Sequence, residues 1–159
     1  MSISILLADP ETARMGALIE DVQYTQRIDF PAKAENIALA EKLIDEACQK
    51  HGVHESHYGD ILIAITEAVN NAIHHGNRLD PAKNVMLGYR LNGDKIVFVV
   101  GDDGPGFDFD HLPDPTDPQN LEKPHGRGVF LMRTLADSIE FSDNGATVAM
   151  EFSLQPVKE

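Results

Sequence analysis

Between Glu67 and His75 the chain reads EAVNNAIHH, so a carboxylate, two amides and two imidazoles follow the apolar run ILIAIT. At the helical advance of 100° per residue, Asn70, Asn71, His74 and His75 fall within about 80° of Glu67, and Ile61, Leu62, Ile65, Val69, Ala72 and Ile73 fall on the opposite half. Most polar helix faces are simply solvated. This one lacks the lysines and arginines that usually clothe an exposed helix, and it carries two successive asparagines, which are middling helix formers. Glu67 and Asn71 stand four residues apart and point the same way. A carboxylate beside an amide oxygen suits a hard cation such as Mg²⁺, which takes oxygen ligands and keeps waters and phosphates around it. Alternatively, the carboxylate accepts a proton from a hydroxyl or a water. The spacing does not match the H-E-x-x-H of a zinc protease, and the neighbouring His74 and His75 diverge by about 100°, too far to share one metal easily.

A second group of residues follows the apolar run VFVV. Asp102 stands just past its end, and Gly104 and Gly106 come two and four residues later in GDDGPGF. An unbroken apolar strand is expected at the centre of a sheet, and strand ends are where ligands gather. Glycines there allow backbone approaches that a Cβ blocks. D-G-P-G is also good turn chemistry in its own right, while the calcium-loop pattern D-x-D-x-D-G is absent. Further on, Gly126-Arg127-Gly128 stands directly before an expected helix from Val129 to Ser138. Free N–H groups and the positive end of the helix make such a place an anion site. Lys123, His125 and Arg127 concentrate positive charge there, within an otherwise acidic chain.

The elements that must hold these groups follow from periodicity. YTQRIDFP (Tyr24 to Pro31) alternates as a strand. AENIALAEKLIDEACQKHG reads as a helix, with Ile37, Ala40, Leu43, Ile44 and Ala47 at helical spacing and Gly52 as the stop. A second helix starts near Ser56 as N-cap and runs to His75, with Gly76 expected to close it in a left-handed conformation. Asn84 to Leu91 and Lys95 to Val100 form a hairpin about Asn92-Gly93, and Ile139 to Ser142 and Thr147 to Leu154 form another about Asp143-Asn144-Gly145. The proline- and aspartate-rich stretch from Asp102 to Gly128 shows no periodicity; loops longer than about 12–15 residues are usually functional or disordered. The expected fold class is α+β: a two-layer sandwich of a mixed, mostly antiparallel sheet with helices on one face.

The 159 residues suggest one domain. Residues 23–155 form the expected folded unit, and residues 1–22 an N-terminal extension to which no chemistry is assigned. Thirteen basic against 26 acidic residues give a net charge of −13, which opposes direct binding to nucleic acid or to an anionic membrane. The lone Cys48 excludes an internal disulfide and fits a reducing cytoplasm. No apolar run approaches the length of a membrane span, and the N-terminus is a poor signal peptide.

Glu67-x-x-x-Asn71-x-x-x-His75, Asp102-x-Gly104-x-Gly106 and Gly126-x-Gly128 stand in this order along the chain. Together they resemble the ATP-binding domain of the GHKL superfamily (gyrase, the heat-shock chaperone of about 90 kDa, mismatch-repair ATPases and histidine kinases). The compact size and EAVNNAIHHGN itself resemble the anti-sigma serine/threonine kinase branch, over about Tyr24 to Leu154. The resemblance implies a histidine-kinase-like ATPase fold with ATP and Mg²⁺ as ligands. It implies that Asn71 holds the metal, with His75 in the same motif at the nucleotide, and that Glu67 is the base that activates the attacking hydroxyl. Asp102 would accept the adenine amino group, supported by Thr147. Gly104 and Gly106 would be hinges of a lid running from about Asp108 to His125, and Gly126 and Gly128 would cradle phosphates, with Lys123 and Arg127 as nearby cations. Relatives in this branch often carry a serine or threonine and an arginine before the G-x-G. Here the run is Glu122-Lys123-Pro124-His125, so which cation meets the γ-phosphate stays open.

The implied function is an ATP-dependent serine/threonine kinase that phosphorylates a small anti-anti-sigma (STAS-type) protein and sequesters a sigma factor, as a cytoplasmic homodimer. Three rivals stand beside it: an ATP-binding partner-switching module without phosphotransfer, an orphan histidine-kinase-type catalytic domain, and an ordinary globular protein with accidental motifs.

Overall fold

Alternating apolar residues along five segments build one sheet. In the computed structural model, which describes residues 23–110 and 124–156, the strands are β1 (Gln26–Pro31), β2 (Asn84–Asn92), β3 (Lys95–Asp102), β4 (Ser138–Ser142) and β5 (Thr147–Ser153). Their spatial order is β1-β2-β3-β5-β4. Every ladder among the described residues is antiparallel. Helices α1 (Ile37–Lys50), α2 (Glu55–Asn71) and α3 (Pro124–Leu135) pack on one face and complete the two-layer α+β architecture. Residues 1–22 and most of the expected lid, Lys123 included, lie outside the described residues. Among the described residues, no helix is long and apolar enough to cross a membrane.

β3 takes the centre, as its unbroken apolar run requires; every residue from Ile96 to Gly101 is buried. Its alternate side chains Ile96, Phe98 and Val100 join Val85, Leu87 and Tyr89 of β2 and Val148, Met150 and Phe152 of β5 in the core beneath the helices. Val97, Val99 and Ala149 face the other way, with Tyr24 and Met86 packed against them. Ala40, Leu43, Ile44, Ala47 and Cys48 of α1 and Ile61, Ala64, Ile65, Ala68 and Val69 of α2 supply the helical half of the core.

Several element ends differ from expectation, each for a local reason. A 3₁₀ turn, Ala34–Asn36, precedes α1. The N-cap of α2 is His54 rather than Ser56: the imidazole Nδ1 accepts the Ser56 N–H at 3.1 Å and serves as the capping acceptor two residues earlier. At its other end α2 passes into a π turn, Ala72–Gly76, with the Asn77 N–H bonded to the Ala72 carbonyl at 2.8 Å. The left-handed residues are Arg78 (φ 52°) and Leu79 (φ 58°), not Gly76. Gly76 is needed for a close approach instead. α3 begins at Pro124, ahead of the expected Val129, because proline fits the first helical position, where no N–H partner exists. Its first turn therefore contains Gly126.

Candidate active site

α2 lies against the sheet with its mixed face turned toward the ends of β3 and β5. Ala68 and Ala72 are buried, whereas Glu67, Asn70 and Asn71 are half-buried. Between α2 and these strand ends opens a cleft. Its floor is Ala68, Ala72, Val100, Met132 and Val148; its walls include Asn71, His75, Gly76, Asp102, Gly106 and Phe107.

Asp102 anchors the inner end. As the last residue of β3 it pairs with Val85, and its N–H donates to the Ala146 carbonyl at 3.0 Å. Its Oδ1 accepts the Gly104 N–H at 2.8 Å. The carboxylate lies directly on Gly76, where a Cβ would stand 2.2 Å from Oδ2. A Cβ on Gly104 would stand 2.1 Å from the Gly76 carbonyl oxygen. Asp102, Gly76 and Gly104 thus close into one contact that only glycines permit. Burial raises the Asp102 carboxyl above its ordinary value; the Gly104 N–H opposes this, Asp103 adds to it, and Lys83 opposes it.

The rim is set by a second close approach. Gly106 has φ +83°, and a Cβ there would meet the Asn144 carbonyl oxygen at 2.1 Å. The Phe107 N–H donates to that same carbonyl at 2.7 Å. The loop after β3 is thereby pinned to the turn between β4 and β5. Phe107 and Phe109 pack on Phe141, with ring centroids 5.8 and 4.7 Å away, and the Arg133 guanidinium lies 5.6 Å above the Phe141 ring. Phe107, Phe141 and Met132 line the cleft, and sequence reading did not single them out. The signal was a phenylalanine directly after G-P-G, beside another in a facing strand.

The outer end is built by α3. A Cβ on Gly128 would stand 2.6 Å from Glu67 Oε1 and 2.8 Å from Asn71 Nδ2. The bare Cα of Gly128 therefore rests on the carboxylate and amide of the polar stripe. Gly126 lies in the first turn of α3, whose N–H groups have no intrahelical acceptor. Arg127 is exposed. Gly128 meets Glu67 and Asn71 in the last turns of α2, and Asp102 and Gly104 meet Gly76 just beyond its end; Asn71, His75, Gly76, Asp102 and Gly106 share the cleft between them.

Thr147 stands apart from this group. Strand alternation turns it to the face opposite Val148, beside Gly101, and its hydroxyl donates to Asp143 Oδ2 at 3.0 Å. Ala146 and Val148 line the cleft in its place. A one-residue offset along a strand changes the face, which is why a Thr in NGATV could be assigned to the wrong side.

The donor set fits Mg²⁺ bound together with phosphates. Among the described residues no three His, Cys, Asp or Glu side chains form a metal-holding group. Asn71 and Glu67 would offer such a cation an amide oxygen and a carboxylate, hard donors of the kind it takes beside waters and phosphates.

Residues 30–152 match the family described as the histidine kinase-like ATPase domain. The chain is 31% identical over 133 residues to the serine-protein kinase RsbW of Bacillus cereus, covering 79% of this chain and 82% of that one. To the serine-protein kinase RsbW of Bacillus anthracis it is 30% identical over the same shares. Among solved structures, the RsbU and RsbW domains of a Mycobacterium tuberculosis protein align with a TM-score of 0.55 and 19% identity over 81% of this chain; the chain spans 32% of that longer one. The chain belongs to the histidine kinase-like ATPase family, in the branch of the RsbW serine-protein kinases.

Proposed function

We propose that this protein is an ATP-dependent serine/threonine protein kinase that also acts as an anti-sigma factor. Residues 23–155 would be its catalytic unit and residues 1–22 an extension. The observation that carries this reading is the contact of Gly128 with Glu67 and Asn71 at one end of a cleft whose other end holds Asp102. A purine fits between the apolar floor and Phe107, with its amino group donating to Asp102. The triphosphate then runs toward the first turn of α3, where the N–H groups around Gly126 and the positive helix end favour it. The exposed Arg127 in the first turn of α3 adds positive charge beside that path, and His75 stands on the cleft wall. When bound, Mg²⁺ neutralises phosphate charge, and Asn71 is the residue that would hold it.

Glu67 then accepts the proton of a serine or threonine hydroxyl. The hydroxyl oxygen bonds to the γ-phosphorus as the bond to the β-phosphate oxygen breaks and ADP leaves. Such transfer needs positioning and charge stabilisation more than covalent help. The substrate would be a small anti-anti-sigma protein of STAS type, and its phosphorylation would free the kinase to hold a sigma factor. Homodimerisation and a cytoplasmic setting complete the reading.

The test is incubation with labelled ATP and a STAS-type protein encoded nearby. Acid-stable phosphate on that protein is expected. With Glu67→Gln, ATP still binds and transfer falls by at least about 10²-fold, the scale of a lost general base. Unchanged transfer in that variant would remove Glu67 from the role. ATP binding without any transfer would favour the partner-switching module, and acid-labile phosphate the histidine-kinase-type domain.

A further inference from the structure

Asn77 is the one polar residue fully buried among the described residues, at 1% exposure, and no step above uses it. It follows Gly76, as Asp103 follows Asp102. Its Oδ1 accepts the Asp103 N–H at 2.9 Å, and its Nδ2 donates to the Asn84 carbonyl at 2.8 Å. The Asn84 N–H in turn donates to Asp103 Oδ2 at 2.9 Å. One residue further along each chain from the Gly76–Asp102 contact, hydrogen bonds therefore close a ring through the end of α2, the start of β2 and the end of β3.

The backbone around Asn77 is shaped to put its side chain there. The π turn adds a residue to the last helical turn, a feature common at functional sites. Two non-glycine residues in left-handed conformation follow at once, a costly arrangement that persists only when its surroundings hold it. The Asn77 N–H on the Ala72 carbonyl and the Leu79 N–H on the Ile73 carbonyl, both at 2.8 Å, are that hold. An ordinary α-helical exit would turn Asn77 elsewhere and leave the Asp103 N–H and Asn84 carbonyl without this partner.

We propose that Asn77 is a positioning residue for Asp102: by fixing Asp103 and Asn84 it aims the Asp102 carboxylate into the cleft, and it thereby sets the preference for a base with an exocyclic amino group. The inference rests on the nucleotide reading above. A buried asparagine that only tied α2 to the sheet would affect stability but not choice of base. A site built around one hydrogen bond rejects analogues that lack it, provided its acceptor is held in place.

The experiment compares binding of ATP and inosine triphosphate, which carries an oxygen in place of the amino group, by isothermal titration of the full-length chain. Wild type prefers ATP, and Asp102→Ala removes most of that preference. Asn77→Ala is expected to lower the ATP-to-ITP preference about tenfold, the scale of one displaced hydrogen bond to a charged group. Added to Asp102→Ala it has no further effect on the ratio, because the two act through one contact. Asn77→Ser provides a second, milder variant should Asn77→Ala not fold. A folded Asn77 variant with the wild-type ratio, or a double variant whose losses add, overturns the proposal. Absence of ATP binding by wild type would instead overturn the nucleotide reading on which it rests.

Discussion

Replacing Gly128 by alanine tests the geometry of the site most directly, because the added methyl has a known neighbourhood. The new Cβ would stand 2.6 Å from Glu67 Oε1, 2.8 Å from Asn71 Nδ2 and 3.3 Å from Glu67 Cγ. Ordinary contact needs about 3.5 Å, so the carboxylate must retreat by about 1 Å. Both crowded groups are the ends of flexible side chains, so they can move without displacing the backbone. A reacting group misplaced by about 1 Å costs about 10²-fold in rate. Alanine also exceeds glycine in helix propensity by about 1 kcal/mol, which offsets the crowding. The expected outcome is a fold that melts within about 4 °C of wild type and transfers phosphate about 100-fold more slowly. Single-turnover transfer from labelled ATP, beside a thermal melt, reads both quantities. Gly59→Ala is the control: the residue lies in α2 with nothing within 4 Å of its Cβ position, so it is expected to raise Tm slightly and leave transfer unchanged. Wild-type rates in a folded Gly128→Ala would refute the placement of Glu67 and Asn71 in the reaction.

Gly104→Ala and Gly106→Ala are expected to behave differently, because each Cβ would meet backbone oxygen at 2.1 Å. Loss of nucleotide binding together with more than about 1 kcal/mol of stability is expected, measured by denaturant titration; a Gly104→Ala protein as stable as wild type would contradict the Gly76 contact. Asp102 supplies a pH prediction. Burial holds its folded-state carboxyl above the ordinary 3.8, so ionised Asp102 opposes folding of the unliganded protein. That opposition is absent below the unfolded value and sets in as pH rises through the raised folded value. Asp102→Asn is therefore expected to raise Tm at neutral pH, with the advantage vanishing as pH falls toward 3.8; an equal gain at every pH would contradict burial as the cause.

Most of the architecture was legible because each element obeyed one period. The β2 and β3 hairpin, the burial of α1 and the alternation in β5 all follow from patterning that no tertiary contact overrides. That something faces the polar stripe on α2 was legible for a related reason: a stripe without lysine or arginine is unusual on a solvated helix, and here Gly128 of α3 lies on Glu67 and Asn71. Element ends were less legible because tertiary partners set them. His54 caps α2 with an imidazole nitrogen, which propensity does not rank among good caps. Pro124 starts α3 ahead of the glycines, so Gly126 and Gly128 lie within a helix rather than in a loop before it.

Gly76 shows the limit of single-residue rules best. A glycine at the end of a helical pattern is ordinarily read as a left-handed stop, and here that inference gives the correct residue with the wrong cause. The helix is closed by a π turn, and the left-handed positions fall on Arg78 and Leu79, where no glycine stands. Gly76 is glycine because the Asp102 carboxylate occupies the space of its missing Cβ. A residue distant in sequence thus determines Gly76, and the left-handed Arg78 and Leu79 directly follow the buried Asn77. The placement of Asp102 and the unusual helix exit are one structural solution. A variant that restored a regular α-helical exit would be expected to disturb the carboxylate even with every cleft side chain intact.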